Sequence, residues 1–413
     1  MFFKKKLTKR TIIFFVILIG IIFLTLFFFK KDENNTINSY GEIPQGLGVS
    51  IHRGISEEDI QAIADAGFKW VRIDIFWSSV EKTKGKYNFK STGYDELNEQ
   101  IIAKGLKPYY ILDYGNSLYG NERSVVTNKA RKAFIKFAET TVKRYGGQNG
   151  VWEIWNEPNH GNFWEGQPSY GHYTRLVEAV APIIRKYDKS SLIVAPALSG
   201  LSDPSLQWLK QIKKQGTFKY IDAISVHPYQ EGKPEDVISQ YKKLKKIVKN
   251  KPIFSGEWGY SVTDLDEIKQ AEFLARSLLI NSYAGIPVSI WYDWKNDGQE
   301  KLNREHNFGL VSYYSTPKFS YLAVQTLTSQ LKSYRYSKRI KVNNKNDYIL
   351  EFRNADKDKI LVFWTTKSSH SAHIKLENGG GRLVSMLGAK RSVKWGDYIE
   401  VNMQTSPNYL IIK

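Results

Sequence analysis

Between residues 46 and about 295, short runs rich in β-branched and aromatic residues alternate with longer stretches whose apolar positions recur at helical spacing. Eight runs can be read: GLGVSIH (46–52), WVRIDIFW (70–77), KPYYILDY (107–114), VWEIWNE (151–157), LIVAPAL (192–198), YIDAISVHPY (220–229), PIFSGEW (252–258) and VSIWYDW (288–294). Their starts lie 24 to 44 residues apart, room for one strand, one helix and the loops between. The stretch 56–66 opens SEED, a capping serine followed by acids in the first turn, which is how a helix begins. Eight βα units predict an α/β fold, a (β/α)8 TIM barrel with its active site at the carboxy-terminal ends of the strands.

After a last helical pattern near residues 319–331 the rhythm changes to short alternating runs: ILEF (349–352), ILVFW (360–364), HIKL (373–376), RLVSML (382–387) and YLIIK (409–413), with Gly379, Gly380 and Gly381 expected as a turn. The expected organisation is a barrel over residues 46–331 and a small antiparallel β-sandwich over 332–413. At the other end, residues 11–29 form nineteen uncharged, mostly apolar positions, about the thickness of a hydrocarbon core when helical. Five cations precede this run and only Lys30 and Lys31 follow directly, a bias that keeps the amino terminus in the cytoplasm and sends the rest outward. The apolar run is long and lacks a small-x-small cleavage site, so residues 1–31 are expected to be a basic tail and an uncleaved single-pass anchor in a bacterial plasma membrane. Residues 32–45 are expected to be a polar linker, with structure beginning near Gly41.

Charge and composition narrow the function. Lys+Arg 60 against Asp+Glu 41 gives +19 over 413 residues, but residues 32–330 are nearly balanced at 37 to 34, while residues 331–413 carry 16 to 7. A basic carboxy-terminal segment favours an anionic partner such as an acidic polysaccharide or lipid surface; no recognition motif accompanies the charge, so nucleic acid is not expected. The absence of cysteine excludes disulfides, thiolate catalysis, Fe–S clusters, Cys-zinc sites and a lipoprotein anchor. No phosphate-binding glycine loop or Ser-His-Asp pattern is present, and no cofactor is expected. His370 and His373 have a metal-like spacing without a nearby acid pair and are read as surface residues, as are the lysines of YKKLKKIVKNK (241–251); no metal site is expected.

Two carboxylates stand at predicted strand ends inside apolar, Trp-rich contexts: Glu157 in WEIWNEPN and Glu257 in IFSGEWGY. A barrel would bring them together across a hundred residues of chain. Two facing carboxyl groups are what glycosidic-bond hydrolysis needs, one to protonate the leaving oxygen and one to attack or to activate water.

At these residues the chain resembles clan A of the glycoside hydrolases, and WEIWNEPNHGNFWEG (152–166) is similar to family 39, which includes β-xylosidases, α-L-iduronidases and bacterial exopolysaccharide hydrolases. The resemblance runs over roughly residues 46–331. It implies Glu157 as general acid/base and Glu257 as nucleophile, retention of configuration, and carboxyl groups about 5 to 5.5 Å apart. It further implies that Asn156 bonds the sugar 2-hydroxyl and that Arg72 keeps Glu257 ionised. By the same resemblance His227 and Tyr229 contact nucleophile and substrate, and Trp291 forms the aromatic floor under the sugar. His52 is a further expected sugar contact. Where many clan members carry a His after the third strand, this chain has Asp113 and Tyr114, open between sugar binding and a structural hydrogen bond at the rim. Trp77, Trp155, Trp164, Trp258 and Trp294 divide between core and an aromatic-lined cleft, with Trp77 and Trp164 taken as substrate contacts. The expected function is a membrane-anchored, outward-facing hydrolase with endo action on a polysaccharide made by the same cell, beside its export machinery, because a remodelling enzyme gains from staying at the export site. The alternatives are an exo-acting β-xylosidase-like enzyme on oligosaccharides and a noncatalytic polysaccharide-binding component of an export complex.

Overall fold

The computed structural model describes residues 37–412. The expected tail and anchor, residues 1–31, lie outside them; among the described residues no helix is long and apolar enough to cross a membrane. Eight parallel strands close into a barrel in chain order: β1 (Leu47–Ser50), β2 (Trp70–Phe76), β3 (Lys107–Asp113), β4 (Val151–Ile154), β5 (Leu192–Ser199), β6 (Ala223–His227), β7 (Ile253–Trp258) and β8 (Val288–Trp291), with β1 pairing both β2 and β8. Around them run α1 (Glu57–Asp65), α2 (Tyr94–Ala103), α3 (Asn128–Tyr145), α4 (Tyr170–Tyr187), α5 (Asp203–Lys214), α6 (Val237–Val248), α7 (Glu267–Tyr283) and α8 (Phe319–Gln330). Ser56 caps α1 by accepting from the Asp59 amide, as its sequence indicates.

Strand alternation sorts the barrel into layers. Along β2, Val71, Ile73 and Ile75 face the helices, while Trp70, Arg72, Asp74 and Phe76 point inward. The lowest inward layer is apolar, with Trp70, Tyr109, Val151, Val194, Phe254 and Ile290 in one cluster. Ile37 and Tyr40 close that floor from below, Tyr40 edge-on to Trp70 at 5.2 Å. Residues 37–45 are therefore part of the barrel base and not a free linker, because two apolar side chains in this polar stretch are buried there. Above the floor lies a layer of buried charge, and above that the open end. Gly256 faces this middle layer. A Cβ there would come within 2.3 Å of Ser225 Oγ and 3.2 Å of the Tyr109 hydroxyl, so glycine leaves the space that the polar layer occupies.

After α8 follow β9 (Arg335–Arg339), β10 (Asp347–Arg353), β11 (Lys359–Thr365), β12 (His370–Lys375), β13 (Gly379–Val384), β14 (Lys390–Trp395), β15 (Tyr398–Met403) and β16 (Asn408–Ile412). They form a six-stranded antiparallel sheet in the order β14-β13-β16-β11-β10-β9 and a two-stranded β12-β15 ribbon. One face of the larger sheet, through Leu350, Phe352, Val362 and Trp364, joins the barrel core, and the other, through Ile349, Leu361 and Phe363, packs on Ile374, Val401 and Met403 of the ribbon. The three glycines expected as a turn instead begin β13. Gly381 runs so close to β16 that a Cβ would meet the Ile411 carbonyl at 2.1 Å, and the Trp395 ring covers Gly379. His370 bonds Asp347 and His373 lies edge-on to Tyr398, each serving the sheets.

Buried polar contacts tie the sheet to the barrel. Glu235, just before α6, accepts from Arg276 Nε at 2.8 Å and from the Trp364 indole N–H at 2.7 Å. Glu272 accepts from the Thr405 and Ser406 hydroxyls at 2.7 Å each. Trp364→Phe removes the indole N–H with its charge-assisted bond and shrinks a fully buried side chain; urea unfolding is expected to show a loss of about 2–5 kcal/mol.

Candidate active site

The middle layer is organised by Arg72 on β2, whose guanidinium is buried. Its Nε and Nη2 donate to Glu153 Oε2 on β4 at 3.0 and 2.8 Å, and Nη1 donates to Glu257 Oε2 on β7 at 2.6 Å. Nη2 also reaches Asn156 Oδ1 at 3.0 Å and lies 3.3 Å from His227 Nε2. Glu153 is held from its other oxygen by the Tyr109 hydroxyl at 2.9 Å. One cation thus joins a wholly buried carboxylate below to the carboxylate that faces the open end.

Above it, Glu257 receives a second bond from the Tyr229 hydroxyl at 3.0 Å. Strand alternation alone would turn Glu257 away from the inward-facing Gly256. The β7–β8 register shifts between Ser255 and Trp258, and this break brings Glu257 inward while Trp258 is buried against Tyr260. On β4 the chain leaves its strand through Trp155 at φ 70° and Glu157 at φ 48°, left-handed conformations that cost about 1–3 kcal/mol each for side-chain-bearing residues. The surrounding packing holds that turn: the Trp155 indole N–H donates to the Phe163 carbonyl, and the Glu157 carbonyl accepts from the His160 amide. Its result is that Glu157 Oε1 lies 2.8 Å from His227 Nδ1. A carboxylate oxygen of Glu157 and one of Glu257 lie within 4.8 Å of each other.

Burial by itself would raise the Glu257 pKa, but the charges of His227 and Arg72 and the bonds from Tyr229 and Arg72 outweigh it and hold this carboxyl below the ordinary glutamate range. His227 shows the converse. Burial would lower it, yet the Glu257 charge and the bond to Glu157 raise it above the ordinary histidine range.

These groups floor a cavity of about 580 Å³. Arg72, Asn156, Glu157, Tyr229, Glu257 and His52 all line it, and buried His227 braces it from behind. Three expected contacts do not. Trp77 starts a one-turn helix and packs outward on Phe134 and Phe137, and Trp164 is buried against Trp155 and Tyr173. Trp291 continues the outward phase of β8 with Ser289, so the inward series Val288, Ile290 places its neighbour Tyr292 at the cavity instead. After β3, Tyr114 lines the cavity, accepts from Asn156 Nδ2 at 2.9 Å and carries the Arg123 guanidinium over its ring at 4.6 Å. Asp113 lies beneath, fully buried; burial first and then the Asp74 charge push its carboxyl far above the ordinary aspartate range. Glu153, Tyr109, Tyr292, Asp74 and Arg123 were absent from the sequence reading. For Glu153 a signal existed, since it stands two residues after inward-facing Val151.

A family model described as cellulase (glycosyl hydrolase family 5) matches residues 36–298. The chain belongs to this family of glycoside hydrolases. Its closeness to family 39 within clan A is also seen. The structure is similar to a family 39 glycoside hydrolase from Bacteroides cellulosilyticus WH2, with a TM-score of 0.80 and 25% identity over 91% of this chain and 82% of that one. A monomeric β-xylosidase from Caulobacter crescentus CB15 shares the fold at a TM-score of 0.66 and 15% identity, over 90% of this chain and 97% of its own. In sequence, a β-xylosidase of Geobacillus stearothermophilus is 24% identical over 283 residues, 56% of this chain and 54% of that protein, so the chain spans about half of that relative's length. The enzymes of clan A retain anomeric configuration.

Proposed function

We propose that the hydrolase cleaves glycosidic bonds of an extracellular polysaccharide by double displacement, with Glu257 as nucleophile and Glu157 as general acid/base. The approach of their carboxylate oxygens to within 4.8 Å carries this reading. It suits the short separation of retaining enzymes, about 5–5.5 Å between carboxyl groups, and falls short of the about 6.5–9.5 Å of inverting enzymes. Glu257, kept ionised by Arg72, attacks the anomeric carbon as Glu157 protonates the departing oxygen. In the second half Glu157 takes a proton from water, which displaces Glu257 from the sugar. Asn156, fixed by Arg72 and Tyr114, is placed to bond the sugar 2-hydroxyl. His52 and Tyr229 are the further sugar contacts.

Endo action is favoured by the continuation of the cleft. The catalytic cavity adjoins a second of about 370 Å³ that shares Ile51 and His52 in its lining, which gives space for more than one sugar unit. The apolar run at residues 11–29 supports anchoring of the enzyme at a membrane with its barrel outside, near a polymer that the cell exports. The likeness to β-xylosidases supports a second reading, exo action on short oligosaccharides. The full-length enzyme, assayed on a panel of neutral and acidic polysaccharides, is expected to release long oligosaccharides first, with the anomeric configuration retained in the initial product by proton NMR. Monosaccharides from the outset would establish the exo reading, and an inverted product would overturn the double displacement.

A further inference from the structure

Besides the catalytic pair with His227, the described residues hold one more cluster of ligating side chains: His52 after β1, with Asp293 and Asp297 after β8. Its nitrogen and two carboxylate oxygens all lie within 4.8 Å of one another. Asp293 is 1% exposed, lines the second cavity, and leaves its Oδ1 without any hydrogen-bond partner, an arrangement a buried carboxylate does not hold without cost. The lysines nearby are engaged elsewhere: Lys295 pairs with Asp59 at 3.5 Å, and Lys318 donates to the Gly309 carbonyl at 2.7 Å.

The spacings fit a shared ion. His52 Nε2 is 3.6 Å from Asp293 Oδ2, 3.4 Å from Asp297 Oδ2 and 3.3 Å from the Tyr292 hydroxyl. All three exceed the ordinary hydrogen-bond range of about 2.7–3.2 Å. The two His52–carboxylate spacings are those of ligand atoms around one shared ion, tetrahedral with bonds of about 2.0–2.2 Å or six-coordinate with bonds of about 2.3–2.6 Å, and the imidazole donor decides for the zinc class. We propose that His52 Nε2, Asp293 and Asp297 bind one divalent cation of the zinc class, with a fourth position open to the cleft.

Such an ion takes the place of the His52 proton as the positive charge that faces Asp293 and Asp297. It ties the ends of β1 and β8 to the loop that follows Asp297, and its open position lies where the two cavities meet, within reach of hydroxyl or carboxylate groups of a bound sugar. One imidazole and two carboxylates with an open site is a donor set that zinc accepts and that calcium and magnesium, which prefer six or more oxygens, do not favour.

The test is calorimetric titration of the full-length, EDTA-stripped enzyme with zinc chloride, and in parallel with calcium and magnesium chloride, on wild type, H52Q and D297N. His52 and Asp297 are both partly exposed, so these variants should fold, which an unchanged zinc-free melting temperature verifies. Expected are one zinc per chain in the wild type, a zinc-dependent rise in melting temperature, and affinity weakened by more than about tenfold in both variants. Absence of saturable zinc binding overturns the proposal. So does binding that survives H52Q and D297N unchanged, which would place the ion at the Glu157, His227 and Glu257 cluster.

Discussion

Glu257→Gln is expected to lower kcat/KM by about 10⁴-fold or more, with KM for the polymer changed far less than kcat. The substitution keeps the shape of the side chain and its acceptor oxygen for Tyr229, but an amide cannot form the glycosyl ester, so the first displacement has no nucleophile. Binding elsewhere in the two cavities is left intact. Glu157→Gln should behave differently in a way that separates the two roles. On an aryl glycoside whose phenolate departs without protonation, the first step should survive in Glu157→Gln and the second should stall, because no base deprotonates the water. A burst of phenol followed by slow turnover, and recovery of the steady rate with added azide, would be the signature. If both variants lost the burst equally, the roles assigned from the turn after β4 and the end of β7 would be wrong.

The barrel was legible because each βα unit announces itself locally: eight runs of strand character, spaced by helical stretches, fold as eight strands in the same order. Glu157 and Glu257 were legible for a different reason, as charged residues at the ends of apolar runs. What sequence spacing could not supply was phase. Trp291 and Tyr292 are adjacent aromatics, and only the inward series Val288 and Ile290 decides that Tyr292 meets the cavity. On β7 the rule fails in the other direction, since a shift in register turns Glu257 inward beside Gly256, and no local pattern announces that shift. The β-rich end shows a third limit. Strands β9 and β14, RYSKR and KRSVKW, are paired by the backbone of their neighbours despite polar sequences, while β15 carries a readable alternation of buried Ile399, Val401 and Met403 with exposed Tyr398, Glu400 and Asn402. His370 and His373, read as surface residues, respectively bond Asp347 and lie edge-on to Tyr398. The cluster of His52, Asp293 and Asp297 joins residues some 240 positions apart and has no spacing to read.

Arg72→Met should destabilise the protein by about 3–5 kcal/mol in urea unfolding, more than the loss of any one of its hydrogen bonds would suggest, because it leaves buried carboxylates without their counter-ion. Glu153 is wholly enclosed and would retain only the Tyr109 hydroxyl on one oxygen. Activity should respond through Glu257. In the wild type its pKa is depressed, so the ionised form persists as pH falls below the ordinary glutamate range, and the acidic limb of kcat/KM is expected below that range. The stabilisation from its ion pair is present above the unfolded-state pKa and is lost as pH falls through the lower folded value. Without Arg72, burial is opposed only by His227 and Tyr229, so the acidic limb should move upward and kcat/KM at neutral pH should fall. The double variant Arg72→Met, Glu153→Gln separates the two effects. It removes the enclosed charge and should recover part of the stability, while the acidic limb stays where the single variant put it, because Glu257 still lacks its cation. Recovery of both would show that Arg72 acts on the nucleophile only by preserving the fold, and recovery of neither would mean that the buried layer fails as a unit.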